Sequence, residues 1–142
     1  MKFIYIFSLL FLSLSNISAQ NCEKIIQDCE DLFKTSKSGD DFVSDGQAYT
    51  AFLDRENAEF SKTFLGGATY RLATSAGSRE NFVIFTIKDL EGNILFSNKN
   101  YKNSPYWDFK VKSTIPVIIT TELDEDLKVT GCVVMLIGFK NE

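Results

Sequence analysis

From Gln47 onward the apolar residues of this chain recur at every second position, and that period points to a β-sheet protein. The segment Tyr106 to Lys112 shows it most cleanly. Trp107, Phe109 and Val111 face one way, while Tyr106, Asp108, Lys110 and Lys112 face the other, as in a half-buried strand. Phe82 to Lys88 and Asn93 to Ser97 flank Asp89-Leu90-Glu91-Gly92 and are predicted to form a hairpin. Glu59 to Leu65 and Thr69 to Thr74 flank Gly66-Gly67 and read as a second hairpin. Tyr49 to Leu53 is a further strand. Pro116 to Leu123 is a β-branched run with its proline at the start, where a strand tolerates one. Cys132 to Phe139 is apolar on both faces, which predicts a central strand covered on each side. Roughly seven or eight strands with no interleaved helices imply a mainly β protein, a single antiparallel β-sandwich of jelly-roll-like type.

The period is different near the N-terminus. Cys22, Ile26, Cys29 and Phe33 make one apolar stripe at helical spacing, widened by Ile25 and Leu32. Asn21 is a suitable N-cap, and Glu23, Asp28, Glu30 and Asp31 bias negative charge toward the early turns. A helix over about 21–34 is therefore expected to cover one face of the sandwich. Lys34 to Asp41 reads as polar linker.

Ahead of the helix, Lys2 is followed by an almost unbroken apolar run from Phe3 to Leu14, then by the short stretch Ser15 to Ser18 and by Ala19. A basic start, a brief apolar core and a small residue at the cut describe a secretory signal peptide over 1–19. The run is too short to span a bilayer as a helix. The expected product is one exported domain, 20–142, in the periplasm or outside the cell. A lipid anchor on Cys22 is disfavoured, because Gln20 and Asn21 stand where that anchor needs small residues.

Composition closes several chemistries. There is no histidine, which excludes Ser-His-Asp and Cys-His nucleophiles and His-rich zinc sites. Three cysteines cannot form a Cys₄ site. Removing Lys2 with the signal leaves 14 basic against 19 acidic residues, a net charge of −5. Such a surface repels phosphate backbones, so nucleic acid is not an expected partner. No metal and no cofactor is implied. No apolar run in 20–142 approaches the length of a membrane span.

In an exported chain three cysteines imply one disulfide and one remaining thiol. Cys22 and Cys29 are seven residues apart, about 10.5 Å of helical rise, too far for a bridge within one helix. The predicted pair is Cys29 with Cys132, joining the mid-stripe of the helix to the closing strand. The alternative brings in Cys22, curling back to Cys29 if the helix starts late. A catalytic thiol is disfavoured, since Asp28 and Glu30 beside Cys29 raise a thiol pKa.

Among the acidic residues, Asp40-Asp41 with Asp45, Asp89 with Glu91, and Asp124-Glu125-Asp126 sit in turn-like contexts. They match no EF-hand spacing, and whether they take calcium is left open. Asp54, Glu56 and Glu59 are the only carboxylates that invite comparison with a glycosidase pair, and nothing in their spacing fixes a separation. Tyr101, Tyr106 and Trp107 flank a loop, Asn98 to Pro105, rich in Asn and Lys. Exposed aromatics beside amides are how sandwich modules hold sugars. Alternation turns Trp107 inward and Tyr106 outward, which leaves Tyr101 and Tyr106 as the candidate ligand-binding residues.

Thr69-Tyr70-Arg71-Leu72, the segment Phe85 to Asn93 with its Asp-x-x-Gly-Asn turn, Trp107-Asp108-Phe109 and the closing strand Gly131 to Lys140 together resemble small exported bacterial β-sandwiches. The likeness covers Tyr49 to Lys140 and is similar to the bacterial pre-peptidase C-terminal domains, which accompany secreted enzymes. Within these 142 residues no enzyme domain stands beside it. The resemblance implies a non-catalytic accessory role and transfers no catalytic residue. The expected function is thus a non-enzymatic exported module that binds a protein, glycan or envelope component. The alternatives are a small carboxylate-dependent hydrolase and a purely structural part of an envelope or secreted assembly.

Overall fold

The computed structural model describes residues 17–34, 42–77 and 81–141. The run Phe3 to Leu14 and the pair Asp40-Asp41 lie outside them. Helix α1 (Ile17–Phe33) is followed by eight strands: β1 (Val43–Asp54), β2 (Asn57–Phe64), β3 (Ala68–Ser75), β4 (Val83–Asp89), β5 (Ile94–Ser97), β6 (Tyr106–Lys110), β7 (Ile115–Leu123) and β8 (Thr130–Asn141). A short 3₁₀ turn, Asn98–Tyr101, stands between β5 and β6.

The strands form two four-stranded antiparallel sheets, ordered β1-β8-β3-β6 and β2-β7-β4-β5. The pairings nest. β4 pairs with β5, β3 with β6, β2 with β7 and β1 with β8, as if one long hairpin bent at Asp89–Gly92 had been rolled up. Contacts β3–β8 and β4–β7 seal the roll. This is a jelly-roll order, as expected from the sequence.

One expected hairpin is not there. β2 and β3 belong to different sheets, so Gly66-Gly67 carries the chain across the sandwich. The crossing is tight: a side chain on Gly66 would meet the Lys112 carbonyl at 2.8 Å, and Gly67 has φ +90°. Glycines that look like hairpin punctuation here serve a close approach and a left-handed backbone.

β8 explains the layering. Its residues Val133, Met135 and Ile137 point into the core between the sheets, with Leu72, Phe85, Val117 and Ile119. Cys132, Val134 and Leu136 point the other way and pack with Ile25, Cys29 and Phe33 of α1. The helix thus covers the outer face of β8 and β3, as the two-sided strand requires. It runs alongside β8 in the same direction, from Cys22 at Cys132 to Phe33 at Gly138. Position 138 is tight: a Cβ there would lie 3.2 Å from the Phe33 ring and 3.1 Å from Phe42 Cβ, so one of them would have to give by a few tenths of an ångström.

Two expectations about the helix need correction. Its backbone begins at Ile17, so Asn21 lies within it and does not cap it. No breaker separates Ile17 from Cys22, and the helical conformation continues through. The disulfide joins Cys22 to Cys132, with Cα atoms 5.7 Å apart, and leaves Cys29 as a buried free thiol. Cys29 does face the sheet, but about 10.5 Å farther along α1. It has passed Cys132 and meets Val134, whose carbonyl accepts from its Sγ–H at 3.6 Å. Burial, then the neighbouring Asp28 and Glu30, push this thiol up to about 12.

Arg71 ties the helix to the sheet from below. Its Nε and Nη2 donate to both carboxylate oxygens of Asp108 on β6, at 2.6 and 2.7 Å, and Nη1 donates to the Leu32 carbonyl at 2.7 Å. The guanidinium lies between two rings, 4.4 Å from the Phe42 centroid and 4.6 Å from that of Tyr106. Hydrogen bonding to Asp108 holds its pKa above the ordinary arginine value.

Candidate binding edge

The two sandwich edges differ in kind. At the β1–β2 edge, Lys62 sits at a core-facing position of β2, between Phe60 and Phe64. Its Nζ donates to Asp45 at 2.7 Å, and the Tyr49 hydroxyl donates to the same carboxylate oxygen at 3.1 Å. Asp45 lies where the β1–β8 register shifts, between Ser44 and Ala48. The rings of Tyr49 and Phe60 stack over this network at 4.2 Å. Inward charge and an irregular edge strand are devices that keep a sheet edge from pairing with another chain. Burial pulls Lys62 down, but hydrogen bonding and attraction to Asp45 outweigh it, and its pKa is raised.

The β5–β6 edge is short and irregular, with a register shift between Ile87 and Lys88, and carries aromatic rings. Phe96 of β5 and Trp107 of β6 both face the sandwich interior from opposite sheets, and their rings stack at 4.4 Å. Tyr101, in the 3₁₀ turn that links the two strands, lies across them. Its ring is 5.6 Å from Phe96, nearly parallel at 19°, and 4.6 Å from Trp107. Tyr101 nonetheless remains 52% exposed. Ile94 and Leu95 of the same edge strand are exposed as well.

The turn bearing Tyr101 is pinned. Asn98 is fully buried; its Oδ1 accepts from the Phe85 N–H, and its Nδ2 donates to the carbonyls of Val83 and Ser104. Asn103 donates to the Asn81 carbonyl and to Asp124, and Asn81 donates to the Lys102 carbonyl. Lys102 and Asn103 adopt φ values of 54° and 53°. Consecutive left-handed residues other than glycine are uncommon and persist only where their surroundings impose them. The ring is therefore presented by a preorganised loop.

The structure separates the two tyrosines proposed as ligand contacts. Tyr106 points to the outer, helix-covered side of the sheet, where its ring is taken up by Arg71. Tyr101 lies at the sandwich edge, with Trp107 half-buried beneath it. Alternation along β6 assigned Trp107 and Tyr106 to opposite faces, and both faces are as expected. Asn98 escaped notice as the residue that builds the loop, since a single asparagine in an Asn-rich stretch carries no mark of burial.

The carboxylates considered for hydrolysis are dispersed. Asp54 ends β1, Glu56 lies in the turn after it, and Glu59 is on the outer face of β2; all three are exposed. Asp89 and Asp124 serve local structure. Asp89 accepts from the N–H groups of Glu91 and Asn93 and from the Asn93 amide, which holds its pKa below the usual carboxylate value. Asp124 accepts from Asp126 N–H and from Asn103. Among the described residues, no three acidic or cysteine side chains converge as a metal site would require. No helix among them is long and apolar enough to cross a membrane. The chain matches no family model and no curated protein sequence.

Proposed function

We propose that this chain is an exported, non-catalytic binding module whose ligand is a glycan held at the β5–β6 edge. The observation that carries this reading is the half-exposed Tyr101 ring, backed by Phe96 and Trp107 and fixed by the buried Asn98. A rigid aromatic surface beside amides suits the apolar face of a sugar ring, and preorganisation lowers the entropy lost on binding. The opposite edge carries the inward Lys62–Asp45 pair in place of an exposed aromatic ring. The signal-like residues 1–19 and a disulfide that needs an oxidising compartment support export. The likeness to pre-peptidase C-terminal domains agrees with an accessory role. The test is retention of the purified mature protein on immobilised extracellular and envelope glycans. Tyr101→Ala should abolish retention, with a melting temperature close to that of the parent, while Tyr106→Leu should retain it. Equal retention of parent and Tyr101→Ala would discard the reading.

A further inference from the structure

Resting on the reading of Tyr101 as the stacking ring, we infer that Asp124 is its positioning residue: a carboxylate on the β7–β8 loop sets the ring on the β5–β6 loop by way of Asn103.

Tyr101 is held from both sides in sequence. Before it, Asn98 ties the turn to β4. After it come Lys102 and Asn103, left-handed at φ 54° and 53°. That backbone is disfavoured for residues with a Cβ and persists only where outside bonds hold it. Two neighbouring loops supply them. Asn81 Nδ2 donates to the Lys102 carbonyl, and Asn103 Nδ2 donates to the Asn81 carbonyl, each at 3.2 Å. The second proton of the Asn103 amide goes to Asp124 Oδ2 at 2.8 Å, the shortest of the three bonds. Asn103 is only 8% exposed, so water is a poor substitute for that acceptor. Asp124 is itself fixed. Its N–H donates to the Phe82 carbonyl at 2.7 Å, its carbonyl accepts from the Leu127 and Lys128 N–H groups at 2.9 Å each, and its Oδ1 accepts from the Asp126 N–H at 3.2 Å. The Asn103 N–H closes the turn by donating to the Asn98 carbonyl at 3.0 Å. The path from Asp124 therefore reaches both ends of the segment that carries Tyr101. The ring itself rests on Trp107 at 4.6 Å and Phe96 at 5.6 Å. Aromatic pairs accept several geometries, so the backbone on either side decides how the ring is presented.

The experiment reads the ring directly. Trp107 is the only tryptophan of the chain, and its contact with Tyr101 contributes near-UV circular dichroism that depends on how the two rings pack. Asp124→Ala should move that spectrum toward the one given by Tyr101→Ala, with the far-UV spectrum unchanged. Binding of the mature protein to insoluble chitin, cellulose or peptidoglycan, whichever holds the parent, should weaken roughly tenfold, as expected for one lost hydrogen bond to a charged group. Asp126 enters the network through its N–H, which alanine keeps, so Asp126→Ala should match the parent in both readouts. If Asp124→Ala does not fold, Asp124→Asn decides in its place: the near-isosteric amide leaves one oxygen for two donors, and the same changes are expected in smaller measure. A parent-like near-UV spectrum in the folded variant overturns the assignment. So does a changed spectrum with unchanged binding. If none of the three glycans holds the parent, the glycan reading falls, and the spectral change alone decides whether Asp124 sets the ring.

Discussion

The thiol of Cys29 points at the carbonyl oxygen of Val134, 3.6 Å away and two residues along β8 from the half-cystine Cys132. Cys22, two helical turns earlier, has already taken the bond that Cys29 is too far along to make. Peptide mapping without reduction should therefore recover a Cys22–Cys132 pair. Cys29 should resist alkylation until the protein unfolds. Replacing both half-cystines with serine should lower stability by about 5 kcal/mol, the chain-entropy value for a sequence separation of 110. A Cys29–Cys132 peptide would contradict the placement of α1.

Cys29 also makes stability depend on alkaline pH. Its pKa in the folded protein is about 12, against 9.0 for the ordinary thiol, because burial and two acidic neighbours disfavour the thiolate. The folded state holds this proton more tightly than the unfolded state. The contribution is complete below pH 9 and is lost as pH rises toward 12, on the order of 3 kcal/mol by pH 11. Cys29→Ala should flatten urea-denaturation stability over that window relative to the parent, after a constant offset for the lost packing. A parallel decline in both proteins would refute this.

Arg71 is 4% exposed and bridges three elements, so its loss removes the bidentate bond to Asp108 and the bond to the Leu32 carbonyl. Removing one partner of a buried pair costs about 3–5 kcal/mol. Asp108 is partly exposed, and Arg71→Met should fall at or below the low end of that range. Hydrogen exchange should show the C-terminal turns of α1 opening more often, while β2 and β7 are unaffected. Unchanged protection at Leu32 and Phe33 would show that Arg71 does not anchor the helix.

Asn98 should matter more to binding than its position suggests. Asn98→Ala removes three hydrogen bonds from a fully buried site, a loss of about 2–4 kcal/mol. Its distinguishing effect is on Tyr101, which would lose its fixed orientation. Glycan retention should drop even at temperatures where circular dichroism reports a folded protein. Full retention in a folded Asn98→Ala would separate the loop's rigidity from its function.

Lys62 tests the guarded edge. Lys62→Met strands Asp45 and should destabilise by roughly 1–2 kcal/mol, near the range for a pair largely removed from water but not sealed from it. Lys62→Met with Asp45→Asn should recover part of that loss. The double variant should also self-associate at high concentration, seen by light scattering, because the inward charge no longer discourages edge pairing. A monodisperse double variant would mean that the irregularity of β1 suffices alone.

Much of this architecture is legible in period and composition. The two-sided apolar run Cys132 to Phe139 identified the central strand and its helical cover, and Asp89 to Gly92 identified the β4–β5 hairpin. Long-range relations were not legible. Gly66-Gly67 looked like a hairpin because neighbouring strands usually pair, whereas the rolled topology pairs β2 with β7. The helical stripe gave Cys29 its face but not its position along β8. The same limit hid the separation of Tyr101 from Tyr106. Alternation tells which side of a strand a residue occupies, and only the packing of the two sheets brings Phe96 of one against Trp107 of the other. Lys62 could have been noticed, since Phe60-Ser61-Lys62-Thr63-Phe64 puts a charge on an otherwise apolar face.

The nested pairing has a kinetic consequence. Only the β4–β5 turn closes locally; β1 finds its partner across nearly the whole domain, with Val43 opposite Phe139. Contacts so distant in sequence make folding slow, because loop entropy is lost before the pairing compensates it. Since β8 follows the other described strands in the chain, both the inter-sheet core and the seat of α1 lack their central strand until it has been made. An unfinished chain therefore cannot settle into the native roll. Under the export proposed above, the same property that slows folding would hold the chain in a state fit for transport.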